Sequence, residues 1–189
     1  MAVKTFTTGE VLTSADTNTY LNNGGLVYIT QGIATSGGHL HITGCFTSLY
    51  DSYRVVISQY QTSATQSLEV RLSNGGTVSS TAYYWMYING SYTSTATYSQ
   101  IGGADTATWP TLAIADGGSG GGSSFDLHNP KINTTTEIVG TRTDPRTSGS
   151  VGPFVGYKAD YGDYDGIYFS ASTGTFTSLK VRIYGYRQA

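Results

Sequence analysis

The sequence predicts an all-β protein, an antiparallel β-sandwich or jelly roll that carries a short helical arm at its N-terminus. Apolar residues recur in short runs that alternate with polar ones, and 25 of the 189 residues are glycine. Glycine-rich turns separate these runs, without the long helical stretches that parallel strand connections need. At this length we expect one domain that buries its own core.

The predicted strands begin at Leu26 and continue almost to the C-terminus. In 68–72 and 179–184 apolar and charged residues alternate, which indicates strands with one buried and one solvated face. We therefore assign residues 25–189 to the β-sandwich domain. Eleven strands are predicted, at 26–33, 40–43, 53–60, 66–73, 83–88, 111–115, 124–128, 135–141, 154–158, 166–171 and 179–186.

Glycine clusters mark the predicted connections between these strands. Gly102 and Gly103 are typical of a turn, and the glycine-rich segment 117–122 is interpreted as a long surface loop rather than a linker between domains. The run 81–87 instead carries large residues at both odd and even positions. It predicts either a central strand buried on both faces or a strand with one face used for a subunit or ligand contact.

The one helical signal lies in residues 1–24. Ser14 can cap a helix, and the Asn-Asn-Gly-Gly that follows can end it. A helix of about eight residues is marginal alone. Leu12, Tyr20 and Leu21 therefore need a surface to pack on, either the sheet of this chain or a neighbouring subunit, and we expect residues 1–24 to form a docking arm.

Charge and composition exclude several classes of partner. Ten basic and twelve acidic residues are scattered singly, with a net charge of −2, so we expect no nucleic-acid contact. No apolar stretch approaches 18 residues, so we expect no membrane insertion. The single cysteine, Cys45, is expected to be a small buried hydrophobe.

No constellation of residues indicates catalysis or a cofactor. Glycoside hydrolysis needs a pair of carboxylates, and none of the nine aspartates and three glutamates is singled out as such a pair. The sequence also lacks the serine elbow of hydrolases and the signatures of cysteine proteases. We therefore expect that the protein is not an enzyme and that it carries no cofactor.

Two short segments could hold a ligand. His39 and His41 would share one face of a strand and are weak candidates for a metal site, although an exposed strand face explains them equally well, and we expect no metal. The segment 160–166 mixes three aspartates with two tyrosines, which suits a glycan, a hard cation or a plain solvated turn. The candidate glycan contacts are Tyr161, Asp163, Tyr164 and Asp165.

The N-terminal segment Phe6–Leu21, FTTGEVLTSADTNTYL, resembles the opening segment of many bacteriophage minor tail and tail-fibre proteins. In that family an aromatic residue and Gly-Glu/Asp-Val/Ile-Leu-Thr-x-x-Asp-x-Asn precede a short helix, commonly followed by Leu-Val-Tyr-Ile, as in 26–29 here. The segments 50–55 and 181–187 are similar to β-rich virion proteins of tailed phages.

The resemblance implies a structural protein of the phage particle, a tail-fibre or minor-tail component whose arm attaches to the particle while the β domain projects. It implies other virion proteins as partners and a homo-oligomer, which we expect to be a trimer. Two alternatives stay open. The chain could be a capsid decoration (cement) protein that stabilises the head, or a carbohydrate-binding module.

The docking arm can be tested by deletion. Removing residues 1–24 is expected to abolish incorporation into the particle, because the attachment segment is lost, while the β domain stays folded. Immunoblotting of purified particles measures incorporation, and circular dichroism of the isolated variant measures folding. A truncated protein that still assembles at full occupancy would disprove the docking role.

Overall fold

The computed structural model describes residues 7–11, 13, 25–91, 97–115, 117, 120–145 and 149–187. The predicted helix, with Leu12, Tyr20 and Leu21, lies outside the described residues. Within them the chain forms thirteen strands and no helix. The strands are β1 (Leu26–Ala34), β2 (His39–Ile42), β3 (Ser52–Thr62), β4 (Gln66–Asn74), β5 (Thr77–Val78), β6 (Tyr83–Ser91), β7 (Tyr98–Thr106), β8 (Ile114–Ala115), β9 (Gly121–His128), β10 (Thr136–Asp144), β11 (Ser150–Lys158), β12 (Gly166–Ala171) and β13 (Phe176–Tyr186).

The strands form two sheets. The larger sheet has eight strands in the order β1-β13-β3-β9-β10-β11-β6-β7, and the smaller has the order β2-β12-β4-β5, with β8 also paired to β4. All of these named strands pair antiparallel. The predicted all-β class and antiparallel sheets are confirmed, and the two sheets have the character of a β-sandwich.

Alternate residues of both sheets form a shared core. Val55 and Ile183 of the larger sheet and Val70 and Phe169 of the smaller sheet are fully buried in one cluster. On β3, β4 and β13 the residues on either side of the named ones are at least partly exposed, whereas Ser170 beside Phe169 is also buried. The period of two therefore separates an inner face from an outer face most clearly on β3, β4, β9 and β13, whereas β7 has no buried residue.

Trp109 joins the two sheets. Its backbone N–H donates to the carbonyl of Val70 at 3.0 Å, and the N–H of Val70 donates to the carbonyl of Trp109 at 2.9 Å. Its indole Nε1 donates to the carbonyl of Tyr84 in the larger sheet at 3.2 Å. The ring meets that of Tyr83 edge to face at 5.0 Å between centroids, a favourable aromatic geometry. Strand β6 is thereby held in place against the small sheet.

Strands β5 and β7 are missed by the sequence analysis. The turn predicted at Gly102 and Gly103 is wrong, because both residues lie inside β7. A Cβ added at Gly103 would lie 2.8 Å from the indole of Trp85, so glycine is required there for close packing between strands. The loop predicted at 117–122 is also partly wrong, since β9 begins at Gly121.

Cys45 is buried in the core, as predicted. Burial raises the pKa of its thiol to about 12. The thiolate is the reactive form of cysteine. At neutral pH Cys45 therefore acts as a small apolar side chain.

Lys158 is a charged side chain inside this core. Its Nζ donates to the carbonyl of Thr81 at 2.7 Å and to Oδ2 of Asp160 at 2.6 Å. The ammonium also lies 4.5 Å from the ring centroid of Tyr83. The lysine side chain is fully buried, whereas that of Asp160 is 43% exposed. A buried charge needs such partners, because its desolvation alone would destabilise the folded state by several kcal/mol.

The Lys158 contacts predict a stability change on replacing Asp160. Asp160→Asn removes the carboxylate charge but keeps an oxygen acceptor, and we expect it to lower the free energy of unfolding by about 2 kcal/mol. The double variant Asp160→Asn/Lys158→Met is expected to recover most of that loss, since it no longer buries a charge. Urea unfolding measures both. Equal stability of the single variant and the parent chain would contradict this interpretation.

Candidate interaction face

The outer face of the larger sheet can be followed residue by residue through the strand register. One row crosses all eight strands, and each member is paired with the next. It runs Tyr28, Tyr184, Arg54, Asp126, Val139, Val155, Met86 and Gly102. Its first four members carry polar groups, and the next three are apolar. The outer face is therefore divided into a polar half on β13, β3 and β9 and an apolar half on β10, β11 and β6, while β1 at the edge exposes Leu26, Tyr28 and Ile33.

Two charged residues of the polar half, Arg54 and Asp126, pair with each other. Nη1 of Arg54 lies 3.2 Å from Oδ2 of Asp126, and the hydroxyl of Tyr186 donates to Oδ1 of the same carboxylate at 2.8 Å. Nη2 of Arg54 donates to Oγ of Ser124 at 3.2 Å. Partial burial raises the pKa of Tyr186, so its hydroxyl stays protonated and able to donate. This half is a solvated surface of the kind expected for an antiparallel sheet.

The apolar half presents large side chains to solvent. We call it the apolar face, and its members, apart from the half-buried Tyr84, are all exposed. They are Tyr84, Met86, Ile88, Val139, Val151, Val155 and Tyr157. Tyr84 and Tyr157 stack in parallel across neighbouring strands, with 4.8 Å between ring centroids. Contiguous apolar surface of this kind marks an interaction site.

Two shallow grooves follow the apolar face. The first has a volume of about 380 Å³ and lies between the Tyr84–Tyr157 pair and the side chains of Met86 and Val155. The second, of about 340 Å³, lies beside Ile88. Glu137 lies at the border of the first groove and, among the described residues, is the one charged residue that lines it. Both grooves are lined mainly by apolar side chains and have few polar groups that could orient a small ligand. They therefore suit a protein contact better than a small polar ligand.

Strand β6 explains why large residues occur in every position of 83–88. Tyr83 and Tyr87 face the core and are buried, whereas Met86 and Ile88 face outward and are exposed. The interpretation as a strand buried on both faces is therefore wrong. The alternative interpretation, a strand with one exposed contact face, has the right geometry, and its function as a contact stays a prediction.

The loop after β11 separates the four predicted glycan contacts. Tyr161 is 70% exposed, and Asp163 is exposed beside Lys131, with 2.9 Å between Oδ1 and Nζ. These two residues are placed where a sugar could reach them, and their binding role stays a prediction. Tyr164 and Asp165 instead make contacts within the protein itself.

Tyr164 is a core residue, only 5% exposed. Its hydroxyl donates to Oδ1 of Asp160 at 2.5 Å, and burial raises its pKa. Its predicted stacking on a sugar is wrong, because the ring packs beside the buried ammonium of Lys158. The carboxylate of Asp165 accepts the backbone N–H of Gly75 at 3.2 Å, so it orders the adjacent β4–β5 turn.

His39 and His41 lie on the outer side of β2 and share one face, as the alternation predicts. Both contact Tyr168: His39 stacks on its ring at 5.5 Å, and His41 meets it edge to face at 5.6 Å. Nε2 of His41 lies 2.8 Å from Oγ of Ser73. In the part of the chain that the structure describes, no three His, Cys, Asp or Glu residues are grouped to hold a metal.

Comparison with known proteins adds no identification. Neither a protein-family model nor a curated protein matches this chain. Among the described residues no helix is long and apolar enough to span a membrane. Function is therefore argued from the geometry and from the N-terminal segment.

The different surroundings of Tyr161 and Tyr164 predict different effects of alanine substitution. Tyr164→Ala leaves a cavity beside Lys158, and we expect the free energy of unfolding to fall by about 3–5 kcal/mol. Tyr161→Ala changes an exposed side chain, so its effect is expected to stay within about 0.5 kcal/mol. Thermal and urea unfolding of the two variants measure this difference. Equal losses would contradict the assignment of Tyr164 to the core.

Proposed function

We propose that this chain is a structural protein of a bacteriophage particle, a tail-fibre or minor-tail component that acts through protein–protein contact. The apolar face is the observation that carries this proposal. Apolar surface on an outer sheet face contributes nothing to the core of its own domain. It gains free energy of about 25 cal/mol per Å² only when another surface covers it.

The N-terminal segment supplies the context for this contact. The resemblance of Phe6–Leu21 to the opening of phage tail proteins supports attachment of residues 1–24 to a particle. The β domain would then project with its apolar face turned to a neighbouring virion protein. The repeated crossing of the chain between the two sheets supports the jelly-roll connectivity that is part of this proposal.

A second function, contact with a host surface glycan, is supported by one observation. Tyr161 is exposed and lies two residues from the exposed carboxylate of Asp163. An exposed ring can stack on a sugar, and a carboxylate can accept hydrogen bonds from its hydroxyl groups. Binding through so few groups would be weak for one subunit and would depend on many copies in the particle.

The apolar face can be tested by a single charge. Val155→Lys places an ammonium at the centre of this face, between Val139 and Met86, and we expect particle incorporation to fall at least tenfold because the lysine must be desolvated. Ser58→Lys is the matched control, since Ser58 is exposed on β3 in the polar half. Quantitative immunoblotting of purified particles measures both variants.

Both variants are expected to melt at the temperature of the parent chain, because both positions are exposed. Full incorporation of Val155→Lys would contradict the proposed contact. Electron microscopy of labelled particles separates the two virion locations: label on the tail supports the fibre or minor-tail assignment, and label over the head supports the decoration protein.

A further inference from the structure

Strand β7 is an open edge of the larger sheet. It pairs with β6 on one side, and no other strand of the described residues pairs with its second side. From Tyr98 to Gly103 the pairing with β6 is regular, and the one register shift of this strand pair lies beyond that run, between Gly103 and Thr106. Such an edge presents a row of backbone N–H and C=O groups that can pair with another chain.

The regular run of β7 lacks the charged residues and the proline that commonly protect an edge strand. The run 98–104 reads Tyr-Ser-Gln-Ile-Gly-Gly-Ala and contains no lysine, arginine, aspartate, glutamate or proline. The first carboxylate of the strand, that of Asp105, turns back to its own chain and accepts the N–H of Ala82 at 3.1 Å. Nothing in this run repels a second strand.

The opposite edge of the sheet is built differently. Strand β1 contains a bulge between Tyr28 and Thr30, which interrupts regular pairing along that edge. Ile42 of β2 packs directly on Gly32, so the smaller sheet approaches this edge. Strand β1 is also uncharged, but its longest regular pairing starts only at Thr30, whereas β7 pairs regularly from Tyr98 to Gly103.

The side chains of β7 complement a second copy of the same strand. The large residues Tyr98 and Gln100 occupy its first half, and the small residues Gly102 and Ala104 occupy its second half. An antiparallel pair centred on Ile101 places Gln100 opposite Gly102 and Ser99 opposite Gly103, within the regular part of β7. Each of these side chains then meets a glycine, so nothing obstructs the approach of the second strand. The residue on the two-fold axis faces its own copy, and that residue, Ile101, is uncharged.

We propose that β7 pairs antiparallel with β7 of a second copy of this chain, about a two-fold axis at Ile101. The two larger sheets become one continuous sheet, and the apolar faces of both copies lie on the same side of it. This contact goes beyond the proposed function, since it forms in solution without a particle. It is isologous and closes at two copies, so it predicts a dimer in place of the trimer expected from the resemblance.

A charge swap at Ile101 tests the proposal. Ile101 is 41% exposed, so the chain can accept a polar residue there. Ile101→Lys and Ile101→Glu each place two like charges at the axis, and we expect each variant to raise the dimer dissociation constant at least tenfold. An equimolar mixture is expected to form the mixed dimer, because lysine then faces glutamate. Native mass spectrometry of the full-length chains distinguishes all of these species by mass.

Two control variants test whether the effect on dimerisation is specific to β7. Ser58→Lys and Val155→Lys are both expected to stay dimeric, since neither position lies at the proposed contact. A monomeric or trimeric parent chain would overturn the proposal, as would a dimer that survives Ile101→Lys or a mixture that stays monomeric. These outcomes leave the proposed function standing, because particle incorporation of Val155→Lys is measured separately.

Discussion

The packing of Trp109 between the two sheets is the contact on which the rest of the structure depends. Its backbone pairs with Val70 of the smaller sheet, while its ring and indole nitrogen engage Tyr83 and Tyr84 of the larger one. Because Tyr83 is held toward the core, the alternation of β6 turns Tyr84, Met86 and the next even residue outward. A slip of one residue would exchange the two faces, so this anchor determines where the apolar face lies.

The two halves of the outer sheet face follow different physical rules. On β3 and β9 the outward residues Arg54 and Asp126 neutralise each other beside solvent, which is ordinary for a sheet covered on one side. On β10 and β11 the corresponding residues in the same row are Val139 and Val155. Since the core gains nothing from these outward valines, their surface is better explained by contact with another molecule.

The sequence predicts the strands that have a clear local alternation of apolar and polar residues. It misses the strands whose residues are explained by contacts with residues distant in the sequence. Strand β4 and the last strand are found because Leu68–Leu72 and the equivalent run near the C-terminus alternate without interruption. Strand β7 is missed because Gly102 and Gly103 are typical of a turn, whereas the reason for Gly103 is the indole of Trp85 across the strand pair. No local pattern could reveal that contact.

Part of the candidate site was predictable for the same reason. The run 81–87 places large residues at both odd and even positions, and this pattern already raised the alternative of an exposed contact face. The burial of Tyr164 gave no such signal in the sequence. Tyr161 lies in the same acidic segment, and only the folded structure shows that Tyr161 is exposed and Tyr164 is buried. The hydroxyl of Tyr164 donates to Asp160, which also accepts from Lys158. No spacing of residues in the sequence predicts these contacts.

The apolar face and the open edge lie at the same end of the larger sheet. Strand β6 contributes Met86 and Ile88 to the face and also pairs with β7, so a partner at the edge would extend the same surface. At the other end of the sheet β1 is bulged and exposes Leu26, Tyr28 and Ile33, and the surface beside it holds the paired Arg54 and Asp126. With a net charge of only −2, long-range repulsion between copies is weak, so short-range complementarity decides which surfaces meet. The β6–β7 end of the sheet is therefore where the apolar face adjoins a regular open edge, and this is the end that we expect to be used in assembly.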